Sequence, residues 1–237
     1  MCMSSNDAPS LGILSLERGT LPDVKPVTPR PGSLTSPATY DFPVITETVA
    51  GAWVDNVVRG DPALEAPYVA AARRLVQRGA VAISSNCGFS IRHQLAVAAS
   101  VNVPVGMSSL LLLPSLLRVL PKSAKVAVLT YDSAYCGEDL LGLENLEDRK
   151  RIVVGGIEGG VFWHNEMKRP PPPTDPADID SDVTACVRRL RADHPTIGAI
   201  LFECAGFPLA APAVRKAEGL PVYDITHLCR LMLTTVR

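Results

Sequence analysis

The stretch AVAISSNCGFSIRHQLAVAASVNVPV (80–105) lies over IGAILFECAGFPLAAPAVRKAEGLPV (197–222) without a gap. Cys87 falls on Cys204, Ile83 on Ile200, Val97 on Val214, Pro104 on Pro221 and Val105 on Val222. Each copy reads as a strand, a cysteine, a helix and a second strand that opens at Pro-Val. Self-similarity of this kind marks a duplicated architecture. Upstream, ARRLVQRG (72–79) resembles VRRLRADH (187–194), and an apolar strand at 11–16 has its counterpart at 125–131. The repeat predicts two pseudosymmetric lobes.

Working outward, short apolar runs alternate with helical patterns: LGILSL (11–16), AVAISS (80–85), VPVGM (103–107), KVAVLTY (125–131), RIVVGG (151–156), GAILFE (198–203) and LPVYDI (220–225). Continuously apolar strands are buried on both faces, which predicts an α/β class with mainly parallel sheets between helices. The expected division places 1–108 and 226–237 in the lobe carrying Cys87, and 109–225 in the lobe carrying Cys204. Two stretches interrupt the pattern. Residues 17–50, rich in proline, read as a long connection, and 157–178 holds Pro170–Pro173 beside Phe162, Trp163 and His164. Segments of this length are lids, binding loops or plain solvated loops.

The 237 residues suffice for one large domain or two lobes with real cores. With 47% hydrophobic and 20% charged residues the chain is of globular type, which excludes a disordered chain. A net charge of −1 offers no footprint for nucleic acid or an anionic membrane, so the expected partner is a small molecule. The apolar run 103–120 carries Pro104, Pro114 and Arg118 and reads as a strand and a buried helix, with no membrane role. The apolar surface around Leu110–Leu117 could equally serve a homo-oligomer. Six cysteines (Cys2, Cys87, Cys136, Cys186, Cys204 and Cys229) without a Cys-x-x-Cys pair, after a start lacking a basic and apolar leader pattern, point to reduced thiols and a cytoplasmic location.

Ligands of parallel α/β sheets bind beyond the carboxyl ends of the strands. Cys87 and Cys204 both stand there, where a strand turns into a helix. The N–H groups of Gly88, Phe89 and Ser90, and of Ala205, Gly206 and Phe207, are expected as free donors for an anion, and the helix end is expected to lower the thiol pKa. Two thiols facing each other across a cleft suit one task. One sulfur removes a proton next to a carboxylate or carbonyl, and the other delivers a proton to the opposite face. A single cysteine after a strand is more often a small core residue, but two at equivalent repeat positions, each with a glycine within two residues, favour chemistry. Cys2, Cys136, Cys186 and Cys229 lack that setting. The four histidines show no metal-ligand spacing, and His227 reads as structural. Ser108 reads as a helix cap. Arg92 and His93, one turn beyond Cys87, are candidates for an anionic substrate beside the plainer reading of a solvated face.

The segments SSNCGFS (84–90) and FECAGFP (202–208), with the Pro-Val strands after them, resemble the aspartate, glutamate and hydantoin racemase superfamily from about residue 10 onward. The resemblance implies a two-lobed α/β fold, chemistry without metal or organic cofactor, and Cys87 and Cys204 as the acid and base of a racemase or epimerase. It also implies a carboxylate-binding role for Thr130. Ser15, Asn86, Gly88, Phe89, Thr130, Tyr131, Ala205 and Gly206 are the substrate-binding candidates. Glutamate racemases follow their cysteines with Asn-Thr and Thr-His, where this chain has Gly88-Phe89 and Ala205-Gly206, which points away from a free acidic amino acid. Cys204-Ala205-Gly206 is similar to hydantoin racemases. PRPGSLTSPATYDFPV (29–44) and SNCGF (85–89) resemble the branch with the algal dimethylsulfoniopropionate lyases, in which a cysteine deprotonates beside a carboxylate and a β-group leaves. Arylmalonate decarboxylases share the implied fold with one of the two thiols. Racemisation is the first expectation, elimination the alternative, and a small-molecule binding protein without activity the third.

Overall fold

The computed structural model describes residues 9–19 and 28–236, so Cys2 lies outside the described residues. Eight strands form two parallel sheets. β1 (Ser10–Ser15), β2 (Val44–Thr48), β3 (Ala80–Ser85) and β4 (Val105–Gly106) run in the order β2-β1-β3-β4. β5 (Lys125–Thr130), β6 (Ile152–Gly156), β7 (Ile197–Phe202) and β8 (Val222–Tyr223) repeat it as β6-β5-β7-β8. β7 and β8 start at the residues that the gapless alignment sets over the first residues of β3 and β4. Even the irregularity is duplicated. The β1/β3 ladder shifts register after Ser10, and the β5/β7 ladder shifts after Lys125.

The helices are α1 (Val54–Arg59), α2 (Glu65–Gln77), α3 (Gln94–Ser100), α4 (Leu113–Val119), α5 (Leu146–Arg149), α6 (Val161–Glu166), α7 (Pro176–Asp193), α8 (Ala211–Glu218) and α9 (Ile225–Thr234). Crossover helices are required because parallel neighbours cannot be joined by tight turns. α2 buries Tyr68, Ala71, Ala72 and Leu75, and α7 buries Val183, Cys186, Val187 and Leu190. The i, i+3, i+4, i+7 spacing is the same in both, and it turns one stripe of each helix onto its sheet. α7 starts at Asp175, whose carboxylate accepts from Ala177 N at 2.9 Å, with Pro176 at its first position. α9 crosses back to the first sheet, where Ile225, Leu228, Cys229 and Leu233 pack with Leu11, Ile13 and Ala82.

The stretch 17–50 is not merely a connection, since it contains β2, which pairs with β1 from Leu11↔Val44 to Ser15↔Thr48. Its pattern is half-exposed and broken by polar residues, as befits an edge strand covered on one side only, and so it lacks the apolar run of its neighbours. The stretch 157–178 likewise contains α6. Residues 103–120 are a short strand followed by a 3-10 turn and α4, with Leu113, Leu116 and Leu117 buried. Ser108 caps that turn, accepting from Leu110 N at 3.3 Å. Among the described residues no helix is long and apolar enough to cross a membrane.

In each sheet the chain leaves the central strand (β1 or β5) to one side and returns on the other. The crevice where such an order reverses is where a parallel sheet binds ligands. The carboxyl ends of β1, β3, β5 and β7 all open into one cavity between the lobes.

Candidate active site

That cavity holds about 190 Å³. The turn after β3 supplies Asn86, Cys87, Gly88 and Phe89, and the turn after β7 supplies Glu203, Cys204, Ala205 and Gly206. Tyr131 follows β5. Arg18 and the segment Ser33–Thr35 come from the first long stretch, and Phe162 and Glu166 from α6 in the second. Both long stretches therefore reach the cavity.

The two cysteines are placed alike. Cys87 precedes a 3-10 turn (Gly88–His93), and Cys204 precedes a turn leading to Pro208–Ala210. Both residues are half-buried on the cavity wall, whereas Cys136, Cys186 and Cys229 are buried. Their electrostatics run against the expectation from sequence. Burial pushes the Cys87 thiol up to about 12, the negative charge of Glu203 adds to this, and the N–H groups of Phe89 and Ser90 only partly offset it. Cys204 is also raised well above the ordinary thiol value for the same two reasons, although Gly206 N lies 3.5 Å from its sulfur. Nor are all the expected donors free. Ser90 N donates to the Cys87 carbonyl at 3.1 Å, and Phe207 N to the Cys204 carbonyl at 3.2 Å. The short 3-10 turns spend their first donors internally, so burial wins over the helix end. Both thiols rest protonated.

Of the substrate-binding candidates, Asn86, Gly88, Phe89, Tyr131, Ala205 and Gly206 line the cavity. Ser15 and Thr130 do not. Thr130 is fully buried, and its hydroxyl donates to Glu203 Oε2 at 2.8 Å. It orients that carboxylate instead of facing the cavity. Asn86 uses its side-chain oxygen to hold Leu16 N at 2.9 Å, which ties the end of β1 to the Cys87 turn. Arg92 turns away to Asp139 (2.9 Å) and to the Tyr135 carbonyl (3.1 Å). His93 is buried and stacks on Tyr68 at 4.9 Å, and Tyr68 in turn bonds Ser90 beneath Cys87. His227, read from sequence as structural, belongs to the cap of α9. Among the described residues no group of three or more His, Cys, Asp or Glu side chains could hold a metal ion.

Three residues escaped the sequence reading. Glu203 ends an apolar strand immediately before Cys204, a position where an isolated acid is itself a signal. It is 1% exposed, and burial pushes its carboxyl up to about 7 against the hydrogen bonds from Thr130 and Tyr131 N. Arg18 and Glu166, 148 residues apart, form a two-pronged pair at 2.9 and 2.7 Å. Neither sits in a motif. The glycines beside the thiols are forced by close approach. A Cβ on Gly88 would collide with the Glu203 carboxylate and carbonyl, and one on Gly206 would lie 2.8 Å from the Phe162 ring.

No protein-family model matches the chain. It is 31% identical over 220 residues to a dimethylsulfoniopropionate lyase of Durusdinium sp. clade D, covering 83% of this chain and 67% of that protein. The chain spans between 45% and 67% of the length of the curated relatives it matches. Among solved structures, glutamate racemase RacE1 of Bacillus anthracis superposes with a TM-score of 0.59 at 15% identity, covering 97% of this chain and 82% of that one. The Gly74Cys mutant of arylmalonate decarboxylase in its sulfate-associated form gives 0.53 at 20% identity, covering 91% and 87%. The fold is thus the two-lobed α/β fold of the racemases, and by its sequence the chain belongs to the dimethylsulfoniopropionate lyase family.

Proposed function

We propose that the cavity catalyses a cysteine-dependent β-elimination from a small carboxylate that carries a cationic leaving group, as in dimethylsulfoniopropionate. The observation that carries this reading is the charge of the cavity wall. Two carboxylates, Glu166 and Glu203, flank two protonated thiols, and the guanidinium on the wall, Arg18, is already paired with Glu166. An anionic substrate without a positive group would meet net negative charge. A zwitterion is matched at both ends. Arg18 offers donors to its carboxylate, while Glu166 and the rings of Phe162 and Tyr131 face its onium group. The same positive charge lowers the pKa of nearby thiols, so the base forms when substrate arrives.

In the proposed step one cysteine thiolate takes the proton from the carbon next to the carboxylate. The C–H electron pair becomes the new carbon–carbon double bond, the β-carbon–sulfur bond breaks, and dimethyl sulfide leaves with that bond's electrons. Acrylate remains, and the proton stays on the cysteine. The pseudosymmetric pair of thiols also supports racemisation, since inversion needs one sulfur on each face. Incubation with dimethylsulfoniopropionate separates the readings. Release of dimethyl sulfide and acrylate in equal amounts is expected. Their absence, together with deuterium wash-in and inversion at the α-carbon of a chiral acid, would assign the cavity to racemisation.

A further inference from the structure

An elimination that leaves a proton on sulfur with every turnover needs somewhere for that proton to go. Resting on the elimination reading, we propose that Glu203 is the proton acceptor of the cavity, taking the proton from the cysteine thiol and releasing it to water once the products have left. The balance is one proton throughout. Cys–SH and Glu203–COO⁻ become Cys–S⁻ and Glu203–COOH, the thiolate removes the α-proton of the substrate, and Glu203–COOH loses its proton to solvent through the cavity it lines.

The placement argues for this. Glu203 adjoins Cys204 in the chain and reaches across to Gly88, the neighbour of Cys87, so one carboxylate serves the turns of both thiols. Thr130 fixes its Oε2 (2.8 Å) and Tyr131 N also bonds the carboxyl, whereas Oε1, buried, has no hydrogen-bond partner within normal distance among the described residues. A buried acceptor left idle is costly in a folded chain, so its retention calls for a reason. The groups facing it are Thr130 and Tyr131 after β5, Cys136 beyond them, Cys87 after β3, Arg92 on the following 3-10 turn, and Cys204. Burial raises all three thiols, Cys87 to about 12, while Glu203 is brought to about 7. Among these groups the carboxyl is the one that exchanges protons near neutrality. Once protonated, Glu203 also ceases to oppose the thiolate.

The test uses Glu203→Gln, which keeps the shape and the Thr130 contact but cannot take a proton, and Glu203→Asp, which can. With dimethylsulfoniopropionate as substrate, kcat of the Gln variant is expected to fall about 100-fold or more at little change in KM, in the range of a lost proton-transfer group. The rise of kcat with pH through about 7 disappears in that variant and persists in the Asp variant. A second readout is independent of turnover. The rate of alkylation of Cys87 and Cys204 by iodoacetamide, followed against pH, should flatten above about 7 in the wild type, where a thiolate forms by passing its proton to the ionised Glu203, and should rise without that break in the Gln variant. A Gln variant with undiminished kcat would mean that Glu203 acts only as a repelling charge and would overturn the proposal, as would a Gln variant with the wild-type pH profile or a wild-type alkylation profile without the break. If the wild type yields no dimethyl sulfide, the elimination reading falls, and the break in the alkylation profile still decides whether Glu203 and the thiols share a proton. Should the Gln variant fail to fold, the Asp variant decides by the same measurements, and loss of its limb near pH 7 would overturn the proposal.

Discussion

Cys87 and Cys204 are equivalent by repeat, but elimination and racemisation demand different things of them. Inversion needs both sulfurs, whereas elimination needs one base. Serine variants of each are therefore expected to behave unequally, with one losing about 10²- to 10⁴-fold in kcat/KM and the other retaining measurable dimethyl sulfide release. Equal, complete loss in both would favour a two-base reaction. Gly88 is a second residue-level test. Because its missing Cβ is where the Glu203 carboxylate and carbonyl lie, Gly88→Ala is expected to destabilise the fold by about 1–3 kcal/mol in chemical denaturation and to displace Glu203. A variant as stable and active as wild type would show that this contact is slack. The thiols were legible from sequence, because duplication set them on each other. Arg18 and Glu166 were not, because their pairing joins a loop and a helix far apart in the chain.

At the level of elements, α9 is held by the residue that caps it. Asp224 accepts from Thr226 N at 2.8 Å and Thr226 Oγ1 at 2.6 Å, with His227 Nδ1 at 3.1 Å. Burial alone would raise its carboxyl, but the His227 and Thr226 hydrogen bonds outweigh burial and hold it below the usual value of 3.8. A depressed folded-state pKa gives stability that is present above the unfolded value and lost as pH falls through the folded one. Asp224→Ala should thus cost about 1–2 kcal/mol at pH 7, a difference that shrinks below about pH 4 as the wild type also protonates. A second element-level contact ties the segment after α6 to α1, where Arg169 pairs with Asp55 on α1 and stacks 4.9 Å over Trp53. Exposed ion pairs contribute little, so Arg169→Ala is expected to shift Tm by no more than about 2–4 °C. Amide exchange in α6, which carries Phe162 and Glu166, should nevertheless quicken. Unchanged exchange would show that the contact does not hold α6. β2 was the element hidden in the sequence, because a half-exposed edge strand lacks the continuous apolar run by which its neighbours announce themselves.

For the whole molecule, the buried Glu203 sets function against stability. Its carboxyl stands at about 7 in the fold against an ordinary 4.5, so the native state holds the proton more tightly than the unfolded chain. Stability therefore falls as pH rises from about 4.5 to 7 and is level above that, by an amount of order 3 kcal/mol. Glu203→Gln removes this dependence. It is expected to raise Tm relative to wild type at pH 8 and to change it little at pH 4, and an equal shift at both values would contradict the burial argument.

The amino-acid order by itself determined the class of fold, the two equivalent lobes and the pair of thiols at the strand ends, since apolar runs and a gapless repeat are local properties that survive without coordinates. Only the tertiary structure decided the state and company of those thiols. Their protonation depends on how deeply the lobes bury them, and the carboxylates and guanidinium around them come from three separate segments that meet only when the two sheets close on one cavity.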